Sequence, residues 1–198
     1  MNLESKTERL TSTVVSICET VCSQYEICIQ MLDGKEYQTL YKVMKKEQRI
    51  QRMGEIIEHK IRELKPYLQG TSIDQRRLSA SSNITKELIQ IKDHARIVAS
   101  FANRCKDPGA RSCAQRTEQQ FVKTLRMAMQ LYQMKQLEDD SCLWTMMEDT
   151  KKSLLAFKED VVASEWKQGL IESMHVTFDC VQHICDQVHH LYTGGSNI

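Results

Sequence analysis

Three side chains of types that bind metals recur on one predicted helix near the C-terminus: His175, Asp179 and His183. Residues four apart share a helix face, so the three form one row. Imidazole and carboxylate groups in such a row can coordinate a divalent transition metal. The alternative is a polar stripe that faces solvent, which is the commoner reason for this spacing. The adjacent His189 and His190 point in different directions and do not extend the row.

No pattern in the chain predicts catalysis. The sequence lacks a glycine-rich phosphate loop, a nucleophile elbow and a Cys-x-x-Cys pair. Its carboxylates and histidines are not arranged as an acid–base pair around a reactive nucleophile. We therefore predict that the protein is not an enzyme.

The composition limits the class of protein and its partners. Lys and Arg total 27 and Asp and Glu total 26, mixed along the chain, so no basic block predicts nucleic-acid binding. No run of about 18 apolar residues could span a membrane. The polar start, MNLESKTERL, is unlike a signal peptide, so we expect a cytoplasmic protein. The eight cysteines are then expected to be reduced thiols.

The elements that carry these residues are predicted to be long helices. Only seven Gly and two Pro interrupt the chain, and apolar residues recur at intervals of three and four. The connections are short, so neighbouring helices should be antiparallel and pack as bundles. The predicted helices span residues 4–32, 35–64, 72–102, 112–137, 141–162 and 165–191.

The clearest break in the chain is Asp107-Pro108-Gly109. It separates two patterns of three helices that agree in helix length, order and apolar spacing. We therefore predict a first repeat at residues 1–106, a linker at residues 107–111 and a second repeat at residues 112–198. The expected fold is all-α, with two tandem three-helix bundles.

The third predicted helix carries a recognisable signature. Asp74-x-Arg76 opens it, and Leu-Ile-Gln-Ile-Lys-Asp-His-Ala follows at residues 88–95. This helix resembles the third helix of a repeat in PhoU, the regulator of bacterial phosphate uptake. The family has Leu-Glu-Arg-Ile-Gly-Asp-His-Ala there, and this chain has Ile89, Gln90 and Lys92 in place of its Glu, Arg and Gly.

The second half is also similar to PhoU. Residues 174–179 lie where the second repeat has its own Leu-Glu-Arg-Ile-Gly-Asp, and residues 188–194 resemble the closing apolar-Thr-Gly of the family. The resemblance implies two three-helix bundles related by pseudo-two-fold symmetry. It also implies a regulatory module of phosphate transport that contacts a transporter or a sensor kinase.

PhoU-like proteins can hold metal ions through Glu/Asp-x-x-x-Asp pairs, so the resemblance marks four pairs of positions in this chain. A divalent zinc, manganese or iron ion is the implied cofactor. Three of the pairs are degenerate, because one of the two positions lacks a carboxylate or imidazole, and only the sixth helix keeps two ligand-type side chains. In order along the chain the pairs are Glu47 with Gln51, Ile89 with Asp93, Asp149 with Ser153, and His175 with Asp179.

Three functions remain open from the sequence. The first is the PhoU-like regulator, either a separate chain or the cytosolic part of a sodium–phosphate symporter, near a membrane only through that partner; a homodimer is compatible with it. The second is a generic helical scaffold or adaptor that resembles PhoU by convergence. The third is a metal-binding protein that uses His175, Asp179 and His183, with Asp149 as the further donor that the family position implies.

Overall fold

Six helices account for the architecture. The computed structural model describes residues 3–34, 39–67, 72–134, 139–160 and 165–193, and these contain no β-strand. A single 3-10 turn, Lys65–Tyr67, follows the second helix. The helices are α1 (Leu3–Leu32), α2 (Thr39–Leu64), α3 (Ser72–Arg104), α4 (Pro108–Gln133), α5 (Ser141–Asp160) and α6 (Glu165–Thr193). The predicted all-α fold class is confirmed.

The break between the halves is shorter than predicted. The Asp107 side chain caps α4 by accepting hydrogen bonds from the backbone N–H groups of Gly109, at 2.9 Å, and Ala110, at 3.3 Å. Pro108 occupies the first helical position, where its fixed φ and missing N–H are tolerated. As a result α4 begins at Pro108 instead of residue 112, and residues 108–111 are helical. Only residues 105–107 separate α3 from α4.

A turn built on a glycine follows α1. Gly34 has a φ of 82°, in the left-handed region that glycine adopts at little cost. Its N–H donates to the carbonyl of Met31 at 3.1 Å, which satisfies one of the last acceptors of the helix. This C-terminal cap directs the chain away from α1.

Each half is a three-helix bundle. In the first half α1, α2 and α3 pack against one another, and in the second half α4, α5 and α6 do the same. Across the halves α1 packs along α4 and α3 packs along α6. A rotation that exchanges the two halves places α1 on α4 and α3 on α6. Both contacts between the halves are therefore kept, as pseudo-two-fold symmetry requires.

The core is continuous through both halves because α1, α3, α4 and α6 meet at the centre. Its largest fully buried side chains include Tyr25, Phe121, Tyr132 and Phe157. Burying an aliphatic or aromatic side chain of this size stabilises a fold by roughly 1.5–3 kcal/mol. Among the described residues, no helix is both long and apolar enough to cross a membrane.

All eight cysteines are free thiols. Six of them are buried, Cys113 is partly buried, and Cys142 is exposed. Burial raises the pKa of the Cys28 and Cys185 thiols, so little reactive thiolate forms there at neutral pH. Reactivity should therefore be concentrated at Cys142.

We expect native protein treated with dithionitrobenzoate at neutral pH to release one thiol in a fast phase, from Cys142, and Cys113 to follow more slowly. The same sample in denaturant should release all eight. Cys142→Ser should abolish the fast phase, whereas Cys28→Ser should leave it unchanged. Several fast thiols in the native protein would contradict the burial pattern.

Candidate functional site

The row predicted on α6 does not form a ready-made metal site. His175 is partly buried, whereas Asp179 and His183 are exposed. His183 Nδ1 lies 3.4 Å from Glu87 Oε1 of α3, so its neighbour is a carboxylate of the adjacent helix. In the part of the chain that the structure describes, no three His, Cys, Asp or Glu side chains converge as a metal site requires.

The α5 residues that the resemblance implicates are engaged locally. Asp149 Oδ1 lies 3.6 Å from Lys152 Nζ, one turn away on the same helix. The backbone carbonyl of Ser153 accepts a hydrogen bond from Thr117 Oγ1 at 3.2 Å, which ties α5 to α4. Metal binding at His175 and Asp179 stays a prediction, with at most two ligands from α6.

Calorimetric titration with zinc and manganese should detect at most one weak site in the whole chain. Two ligands on one helix bind weakly, and binding should weaken further at acidic pH because imidazole must be neutral to coordinate. His175→Ala should abolish any such signal, and the exposed His59→Ala should not change it. Tight binding that survives His175→Ala would place the site elsewhere.

The first-half pairs that the resemblance marks lie on α2 and α3. Between these helices is a polar groove lined in part by Glu47, Gln51 and Lys92. Lys92 Nζ lies 3.0 Å from Asp93 Oδ1. Arg96 Nη2 lies 3.9 Å from the same oxygen and 4.0 Å from Glu47 Oε1. Two side-chain cations thus accompany the two carboxylates. These residues do not fit a metal cluster, because a divalent ion here would be repelled by both cations.

Ile89 is partly buried and packs against the core. It lies against Gly54 of α2, where an added Cβ would come within 2.3 Å of Ile89 Cδ1 and 3.0 Å of Cγ1. The glycine therefore makes room for the isoleucine, and α2 and α3 approach closely. At residue 89, where the family signature has a glutamate, this chain therefore has an apolar contact between two helices.

A buried polar pair that sequence reasoning missed is formed by His94 of α3 and Glu118 of α4. His94 Nε2 lies 2.9 Å from Glu118 Oε1, and its Nδ1 lies 2.6 Å from Ser173 Oγ of α6. The two side chains are only 3% and 0% exposed. The pair joins one helix of the first half to two helices of the second.

Aromatic side chains enclose this pair. The ring centroid of His94 lies 5.7 Å from that of Tyr25 on α1 and 6.3 Å from that of Phe121. The Tyr25 hydroxyl donates to the carbonyl of Ile91 at 3.0 Å. Burial, and then the charge of Glu118, raises the pKa of Tyr25 well above its usual range. Four helices therefore meet around one buried carboxylate.

The buried carboxyl group of Glu118 is only partly hydrogen-bonded. Its Oε2 atom is buried and has no hydrogen-bond partner among the described residues. A buried carboxylate without full pairing is costly, so the contact with His94 supplies most of its compensation. A sequence signal was available, because Glu118 interrupts the apolar stripe of Ala114, Phe121 and Leu125 on α4.

With this geometry in hand, two solved structures are found to resemble the chain over nearly its whole length. PhoU from Pseudomonas aeruginosa superposes with a TM-score of 0.75 at 16% sequence identity, covering 98% of this chain and 100% of that one. The phosphate transport system regulatory protein PhoU from Streptococcus pneumoniae gives a TM-score of 0.79 at 15% identity, covering 98% of each chain. The chain has a PhoU-like fold.

The PhoU-like fold confirms the resemblance drawn from the third helix. No protein-family model matches the sequence, and no curated protein matches it either. The likeness is thus one of structure at very low identity. Two residues of the resemblance, the Asp74 side chain and Gly194, lie outside the described part of the chain.

Proposed function

We propose that this protein is a PhoU-like regulatory module of phosphate transport or signalling. It acts by protein–protein contact with a phosphate transporter or a sensor kinase on the cytoplasmic side of the membrane. It does so either as a separate chain or as the cytosolic part of a sodium–phosphate symporter. Catalysis has no part in this proposal.

One observation carries the proposal. The likeness to the two PhoU structures extends over 98% of this chain and includes both three-helix halves. One of those proteins is described as a phosphate transport system regulatory protein. A convergent helical scaffold would not be expected to reproduce six helices in the same order and packing over the full length of both chains.

The mechanism follows from the shape of the surfaces. Long helices present extended faces to a partner. A face that binds one conformation of the partner more tightly than another shifts the partner towards the more tightly bound conformation. The His94–Glu118 pair and the α1–α4 and α3–α6 contacts hold the halves together, so the docking faces keep a fixed spacing. No step of this mechanism needs a metal ion.

The proposal is tested by phosphate uptake in a strain that lacks this chain. Uptake and phosphate-responsive transcription should lose their dependence on external phosphate, and the wild-type chain should restore it. The purified protein should also co-elute with the solubilised transporter or with the cytosolic region of the kinase. Unchanged uptake and transcription, together with no co-elution, would exclude the proposal and leave the scaffold alternative.

A further inference from the structure

Lys92 of α3 is the only lysine or arginine that is buried in the part of the chain that the structure describes. Its side chain is 11% exposed, and its ammonium lies 3.0 Å from Asp93 Oδ1. Lysine is almost never this buried unless its charge is paired, because removing an ammonium from water is costly. Asp93 is itself 52% exposed, so it gives only part of that compensation. The groups across the groove on α2 therefore bear on why a cation is buried here.

The register of α2 against α3 determines what faces this lysine. Gly54 lies against Ile89. Seven residues away on each helix, Arg96 Nη2 lies 4.0 Å from Glu47 Oε1, so the helices are antiparallel and keep one register over this span. The lysine follows Ile89 by three residues, and Gln51 precedes Gly54 by three, so the lysine and Gln51 face each other across the groove. The group directly opposite the ammonium is an amide, and carboxylates lie to either side.

The charges in and beside this groove cancel. They comprise three carboxylates, Glu47, Glu55 and Asp93, and three cations, Arg52, Lys92 and Arg96. Arg52 is exposed and Arg96 is 55% exposed, so water screens both, whereas Lys92 is enclosed. Carboxylates on two packed helices repel one another unless a cation accompanies them. Lys92 supplies an enclosed cation from the chain itself.

We propose that Lys92 is a built-in cation that takes the place of a bound metal ion between α2 and α3. The resemblance implies a divalent ion at this groove, and the residues present do not fit one. The ammonium is a compact point charge with three donors, so it can neutralise carboxylates of both helices. Because it belongs to the chain, no chelator can remove it. The packing of the first half is therefore independent of metal.

The same ammonium closes the groove to a divalent ion. A unit charge about 6 Å from a divalent cation weakens its binding about tenfold even when water screens the pair. Divalent cations also prefer several oxygen ligands, and the residue opposite Lys92 is the neutral Gln51. Removing the lysine charge should therefore open the groove, and a carboxylate at residue 51 should open it further. This inference does not rest on the proposed function, because it concerns only which cation the groove holds.

Titration with manganese, followed by the electron paramagnetic resonance of the free ion, tests the role of Lys92. All variants carry His175→Ala, so that the row on α6 contributes no binding. The chain with this change alone should show no saturable binding at millimolar manganese. Lys92→Gln should raise the affinity about tenfold, and the double variant Gln51→Glu, Lys92→Gln should raise it about tenfold again. Lys92→Met, which keeps the aliphatic stem, should show the same gain as Lys92→Gln.

Matched variants show whether the gain belongs to this groove. Lys92→Arg keeps the charge and should stay closed to manganese. Lys152→Gln removes the ammonium 3.6 Å from Asp149 Oδ1 at an exposed position of α5, and it should gain no binding. Asp93→Asn should remove the binding that the double variant gains, and circular dichroism should show every variant folded.

Three results would overturn the proposal. The first is saturable manganese binding by the chain with Lys92 in place that Asp93→Asn abolishes, because the groove would then hold a metal beside the lysine. The second is the lack of any gain in the folded Lys92→Gln, Lys92→Met and double variants. The third is an equal gain in Lys152→Gln, which would show a general effect of lost positive charge.

Discussion

His94→Ala should lower the free energy of unfolding by about 2–4 kcal/mol, because it removes a buried ring from the core and leaves a buried carboxyl group without its hydrogen-bond partner. The substitution removes the group 2.9 Å from Glu118 Oε1 and leaves a carboxylate with 0% exposure. Since Glu118 Oε2 already lacks a described partner, the carboxylate would keep no compensation inside the core. Urea-induced unfolding, followed by circular dichroism, measures the loss.

The partner variants make the source of that loss clear. Glu118→Gln keeps a polar group beside His94 without the charge, so it should cost less than His94→Ala. The double variant His94→Ala, Glu118→Ala should cost less than the sum of the two single alanine changes, because each already removes the shared interaction. His59→Ala, at a side chain that is 66% exposed, should change stability by no more than about 0.5 kcal/mol. Strict additivity of the alanine variants would refute the coupling.

Arg111→Met should lower the free energy of unfolding by about 2–4 kcal/mol, since hydrogen bonds from a charged donor contribute about 1.5–3 kcal/mol each and partly overlap. The guanidinium of Arg111, on α4, donates to the carbonyls of Leu32 at 2.7 Å, Met31 at 2.5 Å and Cys105 at 3.4 Å. It thereby satisfies acceptors at the end of α1 and just after α3, and it joins both to the second half.

Two further variants test the geometry of this clamp. Arg111→Lys should recover less than half of the loss, because an ammonium cannot reproduce the planar fork of donors. Arg116→Met, one and a half turns along α4 at an exposed position, should have little effect. Amide hydrogen exchange at Asp33 and Gly34 should accelerate in Arg111→Met alone. Equal losses in Arg111→Met and Arg111→Lys would show that packing, and not the fork, stabilises the end of α1.

Much of the fold followed from local chemistry. Apolar residues at intervals of three and four predict helices, and Gly34 and Asp107-Pro108 mark two of their ends, because φ > 0, a capping carboxylate and a ring-locked φ are properties of single residues. α4 begins four residues before the predicted residue 112, because the Asp107 side chain caps the helix and Pro108 fits its first position. The third-helix signature predicted the PhoU-like fold, although three of its eight positions differ from those of the family.

The candidate site was less accessible to sequence reasoning. The row on α6 was visible because its residues share one helix, yet His183 proved to face Glu87 of another helix. The Lys92 and Arg96 cations beside Asp93 could be placed on the face of α3, but their proximity to Glu47 depends on how α2 packs there. Periodicity predicts which side of a helix is buried and carries no information about what lies opposite.

The sequence by itself determined six helices, their order, the turns between the clearest pairs and the identity of the buried faces. Only the tertiary structure decided that His94 meets Glu118, 24 residues away, and Ser173, 79 residues away. A helix pattern repeats every 3.6 residues and is therefore a local property. Which polar atoms become partners depends on the rotation and offset of packed helices, and these are set by all the contacts of the core together.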